Sequence, residues 1–248
     1  MQSLHLAIGV FDGVHAGHRY LIGEAIEQAK RSNSVVGALT FHPHPKKVLQ
    51  LPNAPQLIYP IQQRYWLLKK FGCRYVFVKK FTDAWSQYSP DRFFTYLQRL
   101  FPLLSDLYVG EDFHFGHNRE GDTQRLEQLC QASQSVKLHV FKHLHYQQER
   151  ICSSRIRLIL SQGDISMANT LLSQPYHCIG YIDNNTYFIH HSELKLKDGD
   201  YACILKNKNG QQCVNTRIFD GHMSITSPVQ DIFQHKACIL EFQRNLKK

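Results

Sequence analysis

Hydrophobic and polar positions along the chain follow two different periods, and the change of period divides it. Over residues 1–145, short β-branched or aromatic runs alternate with stretches of helical spacing. LHLAIGVF (4–11) predicts a buried strand, and HRYLIGEAIEQAKR (18–31) places Leu21, Ile22, Ala25, Ile26 and Ala29 along one helical face. SVVGALTF (34–41) predicts a second strand, IQQRYWLLKKFG (61–72) a helix stopped by Gly72, and CRYVFVKKF (73–81) a third strand. Ser89 and Pro90 suit the start of a helix running to about Phe101, and LYVG (107–110) reads as the next strand. A helix near 121–133 and a strand near 136–142 complete the series. Strands separated by helices of this length imply βαβ crossovers, hence an α/β, Rossmann-like parallel sheet with helices on both faces.

From Cys152 two further helical stretches follow, SSRIRLILSQGD and ISMANTLLSQ. After Pro175 the period changes. CIGYID, TYFIHH, GDYACILKN, QQCVNTRIF, HMSITS and KACILEF are short strand-like runs separated by turn signals, including Asn184-Asn185 and Asn209-Gly210. They predict a small antiparallel β-barrel-like domain over 175–248, following a first domain over 1–174. No apolar run approaches the roughly 18 to 20 residues of a membrane helix. The amino end runs straight into a strand-like segment, so a cytoplasmic protein without membrane attachment is expected.

Charge and cysteine content narrow the partners. Twenty-nine Lys and Arg against 20 Asp and Glu leave a net +9, of which +7 falls in residues 1–174. That excess favours anionic ligands without choosing among nucleotides, nucleic acid and a membrane surface. The seven cysteines form no CxxC pair, which argues against zinc or redox work and fits reduced thiols. The 15 histidines gain meaning only from position within a motif.

GVFDGVHAGH (9–18) lies where the first strand turns into the first helix. In an open parallel sheet, ligands bind outside the carboxyl ends of the strands, and a helix start there offers bare amides and a positive dipole to phosphate. The spacing matches neither GxGxxG nor GxxxxGK, so any triphosphate is held by something other than a P-loop. His15 and His18, three apart, project from neighbouring positions at the start of the helix.

This segment resembles the HxGH nucleotide-binding motif of the class I nucleotidyltransferase superfamily, in the form found in bacterial FAD synthetases. TFHPHP (40–45), VGEDFHFGHNREGD (109–122) and ICSSRIR (151–157) resemble that family's TFxPHP, VGxDFxFGxxxxGD and ISSTxxR, in the same order. FTDAWSQYSPDRFF (81–94) resembles its F-then-SPxxF segment. The resemblance covers about residues 1–175. It implies an adenylyltransferase joining ATP to FMN. His15, His18 and Arg157 would be catalytic, and Gly9, Phe11, Asp12, Gly13, Gly17, Ser153 and Ser154 would shape the ATP site. Phe41, Pro43, His44, Pro45, Asp112, Phe113 and Phe115 would bind the flavin. Mg²⁺ would accompany ATP, held by phosphate oxygens and water with no protein metal site. Cys152 replaces the usual Ser and Ser154 the usual Thr, which implies altered contacts at that helix start. Arg155 reads as structural.

The bifunctional members of that family carry a riboflavin kinase barrel after the synthetase domain, with a Gly-rich segment and a PTAN-type motif. Here PYHCIGYI passes through DNNTYFIHH directly to SELKLKDGDYACIL, and neither feature is present. A shortened, degenerate barrel without kinase activity is the expectation. The competing readings are a nucleotidyltransferase for another phosphate acceptor and a non-catalytic basic nucleotide- or RNA-binding module. FHPHP and DFHFG favour flavin over other acceptors, and the barrel's share of only +2 weakens the RNA reading.

Overall fold

The computed structural model describes residues 2–52, 54–189 and 194–246. The chain forms two compact units, one of Met1–Pro55 with Ile61–His145 and one of Gln56–Pro60 with Tyr146–Lys248.

In the first unit, β1 (Leu4–Ile8), α1 (Ala16–Arg31), β2 (Val35–His42), α2 (Pro45–Val48), α3 (Ile61–Phe71), β3 (Tyr75–Lys80), α4 (Asp83–Ser86), α5 (Pro90–Leu100), β4 (Leu104–Gly110), α6 (Thr123–Ser133) and β5 (Lys137–Phe141) follow one another. The five strands form one parallel sheet in the order β3-β2-β1-β4-β5. β1 is central and wholly buried, as a strand covered on both faces must be. On one face Leu4, Leu6 and Ile8 join Leu39, Phe41, Leu107 and Val109 against Phe93, Phe94 and Leu97 of α5 and Leu126 and Cys130 of α6. On the other, α1 buries Leu21, Ile22, Ala25 and Ala29, the stripe read from its helical spacing; Ile26 falls outside the fully buried set. Helix starts are set by side chains: Ser89 Oγ accepts from the Arg92 amide at 3.2 Å with Pro90 in the first turn, and Asp122 Oδ1 accepts from the Arg125 amide at 2.8 Å.

The order in which strands are added reverses beside β1. Strands β2 and β3 build outward on one side and β4 and β5 on the other, so the carboxyl end of β1 is the topological switch point where such sheets bind ligands.

Beyond a short hairpin, β6 (His145–Tyr146) and β7 (Glu149–Arg150), the second unit holds α7 (Ser153–Ser161), α8 (Ile165–Leu172) and the strands β8 (Tyr176–Asp183), β9 (Thr186–Ile189), β10 (Gly199–Asn207), β11 (Gly210–Phe219), β12 (His222–Ile225) and β13 (Ala237–Asn245). The last six close into a barrel in the order β10-β11-β12-β9-β8-β13. Alternate residues of β10 and β11 face inward, among them Tyr201, Cys203, Leu205, Val214, Thr216 and Ile218. The Asn184-Asn185 turn has both residues at positive φ, 46° and 63°, as a two-residue hairpin turn requires. His190 and His191, the end of one strand-like run, lie outside the described residues. Asn169 of α8 donates to Phe242 O at 2.9 Å and accepts from the Tyr176 amide at 2.7 Å, which ties this helix to β8 and β13. No helix among the described residues is long and apolar enough to cross a membrane.

Candidate functional site

At the carboxyl end of β1, the Gly9 amide donates to Leu39 O at 3.1 Å, keeping the chain paired with β2 for one residue beyond the strand. Phe11 then turns into the left-handed region (φ 52°, ψ 34°) with its ring buried. A non-glycine residue there costs about 1–2 kcal/mol, so the surrounding packing must hold it. Asp12–Val14 form a single 3-10 turn in which Gly13 takes φ 82°. Asp12 and His15 are both buried.

His15 stands at the N-cap of α1 in extended conformation, and its side chain makes no capping hydrogen bond. No acidic side chain occupies the helix's first turn. The start of α1 therefore presents amide donors and a positive dipole end. The His15 and His18 rings stack with centroids 3.7 Å apart and planes 18° from parallel, and Phe11 meets His18 edge-on at 5.2 Å. His18 Nδ1 is buried with no hydrogen-bond partner among the described residues. Burial first, then the neighbouring His15 ring, then the Arg64 charge hold the His18 imidazole well below its ordinary range. It is therefore neutral at pH 7, with one N–H to donate.

The second loop leaves β2. Phe41 is buried among Phe81 and Trp85, the His42–Pro43 peptide is cis, and Pro43, His44 and Pro45 are half-buried. His44 Nδ1 accepts from the Lys46 amide at 3.1 Å and so caps α2. The third loop leaves β4. Asp112 is exposed, and its Oδ1 and Glu111 Oε1 each lie 3.7 Å from His143 Nε2; Glu111 Oε1 also accepts from the His143 amide at 2.7 Å. Phe113 is half-buried and stacks on Phe115 at 5.6 Å. Phe115 itself is buried against Phe93 at 4.9 Å, and it pairs with Gly121 through two backbone hydrogen bonds of 2.9 Å. Little of the Phe41 and Phe115 rings is left for a ligand.

Ser153, Ser154 and Arg157 belong to the second unit, in the first two turns of α7. Arg157 Nη2 donates to Ser154 Oγ at 3.0 Å. Cys152 occupies the N-cap without a side-chain capping bond. Arg155 has a structural part: it donates to Tyr146 O and Glu149 O at 3.1 and 3.0 Å and pairs with the Glu149 carboxylate at 2.8 Å.

One residue beside the first loop was not singled out by its sequence motif. Arg64 of α3 is fully buried; its Nη1 donates to Val10 O at 2.5 Å and Thr40 Oγ1 at 3.2 Å, and its Nη2 reaches Phe41 O at 3.5 Å. Its spacing from Leu67 and Leu68, three and four residues on, places it on the buried face of α3 and was the available signal.

An open, doubly wound parallel sheet whose first strand ends in a tight turn and a helix start without an N-cap side-chain bond is the α/β architecture in which nucleotide-binding proteins seat phosphate. Residues 1–155 match the family model described as FAD synthetase, and the chain belongs to that family. It is 32% identical over 179 residues to the bifunctional riboflavin kinase/FMN adenylyltransferase of Bacillus subtilis (strain 168), covering 71% of this chain and 55% of that protein. It is 30% identical over 181 residues to the FAD synthetase of Listeria monocytogenes, 72% of each chain. The chain thus spans a little over half the length of the bifunctional relative. The crystal structure of a macrolide-efflux protein from Streptococcus pneumoniae shares the fold, with a TM-score of 0.86 over 99% of this chain and 95% of that one at 19% identity.

Proposed function

We propose that the protein transfers the AMP moiety of ATP to FMN, giving FAD and pyrophosphate. An FMN phosphate oxygen attacks the α-phosphorus, its bond forms as the bond to the bridging oxygen of pyrophosphate breaks, and the chain's task is to align the reactants and stabilise charge. The stacked His15–His18 pair at the uncapped start of α1, inside the segment that matches the family, carries this reading. The neutral His18 imidazole and backbone amides are donors suited to phosphate oxygens.

In this reading Gly9, Phe11, Asp12, Gly13 and Gly17 shape the nucleotide site, while Ser153, Ser154 and the Arg157 guanidinium serve the departing pyrophosphate. Pro43, His44, Pro45, Asp112 and Phe113 offer surface to the flavin, with Phe41 and Phe115 supporting their loops from the core. Imidazoles and amides suit phosphate and not a hard cation, so Mg²⁺ supplied with ATP would be held by phosphate oxygens and water and would neutralise phosphate charge. By function we read residues 1–174 as the adenylyltransferase segment, although 146–174 group by contact with the barrel, and 175–248 as a shortened kinase-like β domain. All seven cysteines are free, which fits a protein of the cytoplasm.

The test is chromatography of a mixture of protein, FMN, ATP and Mg²⁺, with phosphopantetheine and nicotinamide mononucleotide as rival acceptors and pyrophosphate release as a second readout. FAD formation with FMN preferred is the expected result. Preference for another acceptor, or no adenylyl transfer at all, removes the reading.

A further inference from the structure

We infer that Arg64 is a positioning residue for the transfer: its guanidinium ties the strand end that opens the nucleotide loop to the strand end that opens the flavin loop. The inference rests on the adenylyl-transfer reading and deepens it. Val10, whose carbonyl accepts from Nη1, immediately precedes the left-handed turn at Phe11. Thr40 and Phe41, which accept from Nη1 and Nη2, immediately precede the HPHP segment. Thr40 Oγ1 donates in turn to Val10 O at 2.8 Å, so one carbonyl takes both the guanidinium and the hydroxyl. A planar fork with several fixed donors joins β1 and β2 at the point where they part into two loops, which a single ammonium on a flexible stem does not do.

Burying a guanidinium costs free energy that apolar packing at the same place would not, and the fold retains it. Two consequences follow from where it lies. Each loop keeps its own ligand contacts without Arg64, but their relative placement does not, and placement errors of about 1 Å cost on the order of 10²-fold in rate. The guanidinium also sets a permanent positive charge near His18 that opposes protonation of that ring.

Arg64→Lys and Arg64→Gln separate these parts in the full-length protein. For each variant kcat and the KM values for ATP and FMN are measured, FMN binding is followed by flavin fluorescence quenching, and His18 is titrated by NMR of ring-labelled histidine. The His18 signal is identified by its loss in His18→Asn. Arg64→Lys keeps the charge, so kcat falls about 10-fold with KM values within about 3-fold and an unmoved His18 titration. Arg64→Gln lowers kcat by about 10² and moves the His18 midpoint to higher pH. Wild-type kcat in folded Arg64→Lys overturns the proposal, as does a loss of rate that only follows the folded fraction by circular dichroism. Should Arg64→Gln fail to fold, Arg64→Lys decides alone. A wild-type protein that makes no FAD brings down the reading beneath, whereas active wild type with indifferent variants brings down only the role of Arg64.

Discussion

Replacing His18 or Arg157 by alanine removes one polar group proposed to act on the phosphates. In the proposed reaction His18 serves the triphosphate from the start of α1, where its buried Nδ1 has no partner among the described residues. Arg157 already holds Ser154 Oγ at 3.0 Å, which fixes the fork beside the hydroxyl. Each alanine variant is expected to lower kcat for FAD formation by about 10² to 10³, the usual worth of one preorganised donor to developing charge. Turnover at the wild-type rate by a folded double variant would remove both from the chemistry. The sequence singles out these two residues because each stands in a contiguous motif. It does not single out Arg64 and Thr40, since their meaning comes from the register of β2 beside β1, which brings Thr40 Oγ1 to the carbonyl of a residue 30 positions earlier. The ties of Tyr59 to β8, a stack on Tyr176 at 5.7 Å and a 3.3 Å contact with His177, were hidden for the same reason.

Among the elements, the start of α7 and the amino-terminal half of the sheet carry separate predictions. Cys152 has the extended conformation of an N-cap (φ −148°, ψ 160°) but no capping bond. A hydroxyl in its place accepts from an amide of the first turn, so Cys152→Ser is expected to stabilise the protein by about 1 kcal/mol. A urea midpoint that stays put or falls shows that the amides there are otherwise satisfied. In the sheet, His5 of β1 meets Tyr108 Oη at 2.8 Å through Nδ1, and Ser32 Oγ at 3.1 Å and Asp106 Oδ2 at 3.3 Å through Nε2. His139 of β5 holds the other oxygen of Asp106 at 2.8 Å. Burial lowers the His5 pKa below the ordinary 6.5, with Asp106 opposing and His139 adding to the shift. Burial pulls Asp106 upward, but hydrogen bonds from His139 and Ser105 and the nearby His rings outweigh it and leave the carboxyl below 3.8. Both groups bind protons more readily unfolded, so their stabilisation is complete above those ordinary values and is lost on acidification, His5 first and Asp106 later. Urea midpoints measured from pH 7.5 to 5.5 are expected to fall more steeply for wild type than for His5→Gln, whose side chain does not titrate. Equal slopes would show that His5 carries no proton linkage. This network escaped the sequence reading because His5, Asp106 and His139 meet only through the pairing order β1-β4-β5.

For the molecule as a whole, the change of hydrophobic period near residue 175 marks two kinds of architecture in the sequence, because periods of 3.6 and 2 are imposed by helix and strand geometry wherever one face is buried. A boundary at 174 places α7 and α8 in the first domain, whereas by contact they group with the barrel, α8 through Asn169 to β8 and β13. The barrel interior is filled by its own side chains: Tyr201, Leu205, Leu240 and Phe242 are fully buried, and Tyr187 Oη donates inward to the carbonyls of Cys178 and Cys238 at 3.0 and 2.9 Å. Burial raises the Cys178 and Cys203 thiols to about 12, so they act as small packed groups and not as nucleophiles. Strand β8 turns at Asn184-Asn185 directly into β9, where the kinase-bearing relatives of the resemblance place a Gly-rich segment and a PTAN-type motif. With that phosphate-binding stretch absent from the sequence, riboflavin and ATP are expected to give no FMN, while FMN and ATP in the same preparation give FAD. Chromatography of both incubations with Mg²⁺, sampled over time at two protein concentrations, checks this. FMN that accumulates from riboflavin in proportion to protein would show that the barrel phosphorylates flavin by other residues. Its absence beside steady FAD formation would confine flavin chemistry to residues 1–174 and leave the barrel without a phosphoryl transfer of its own.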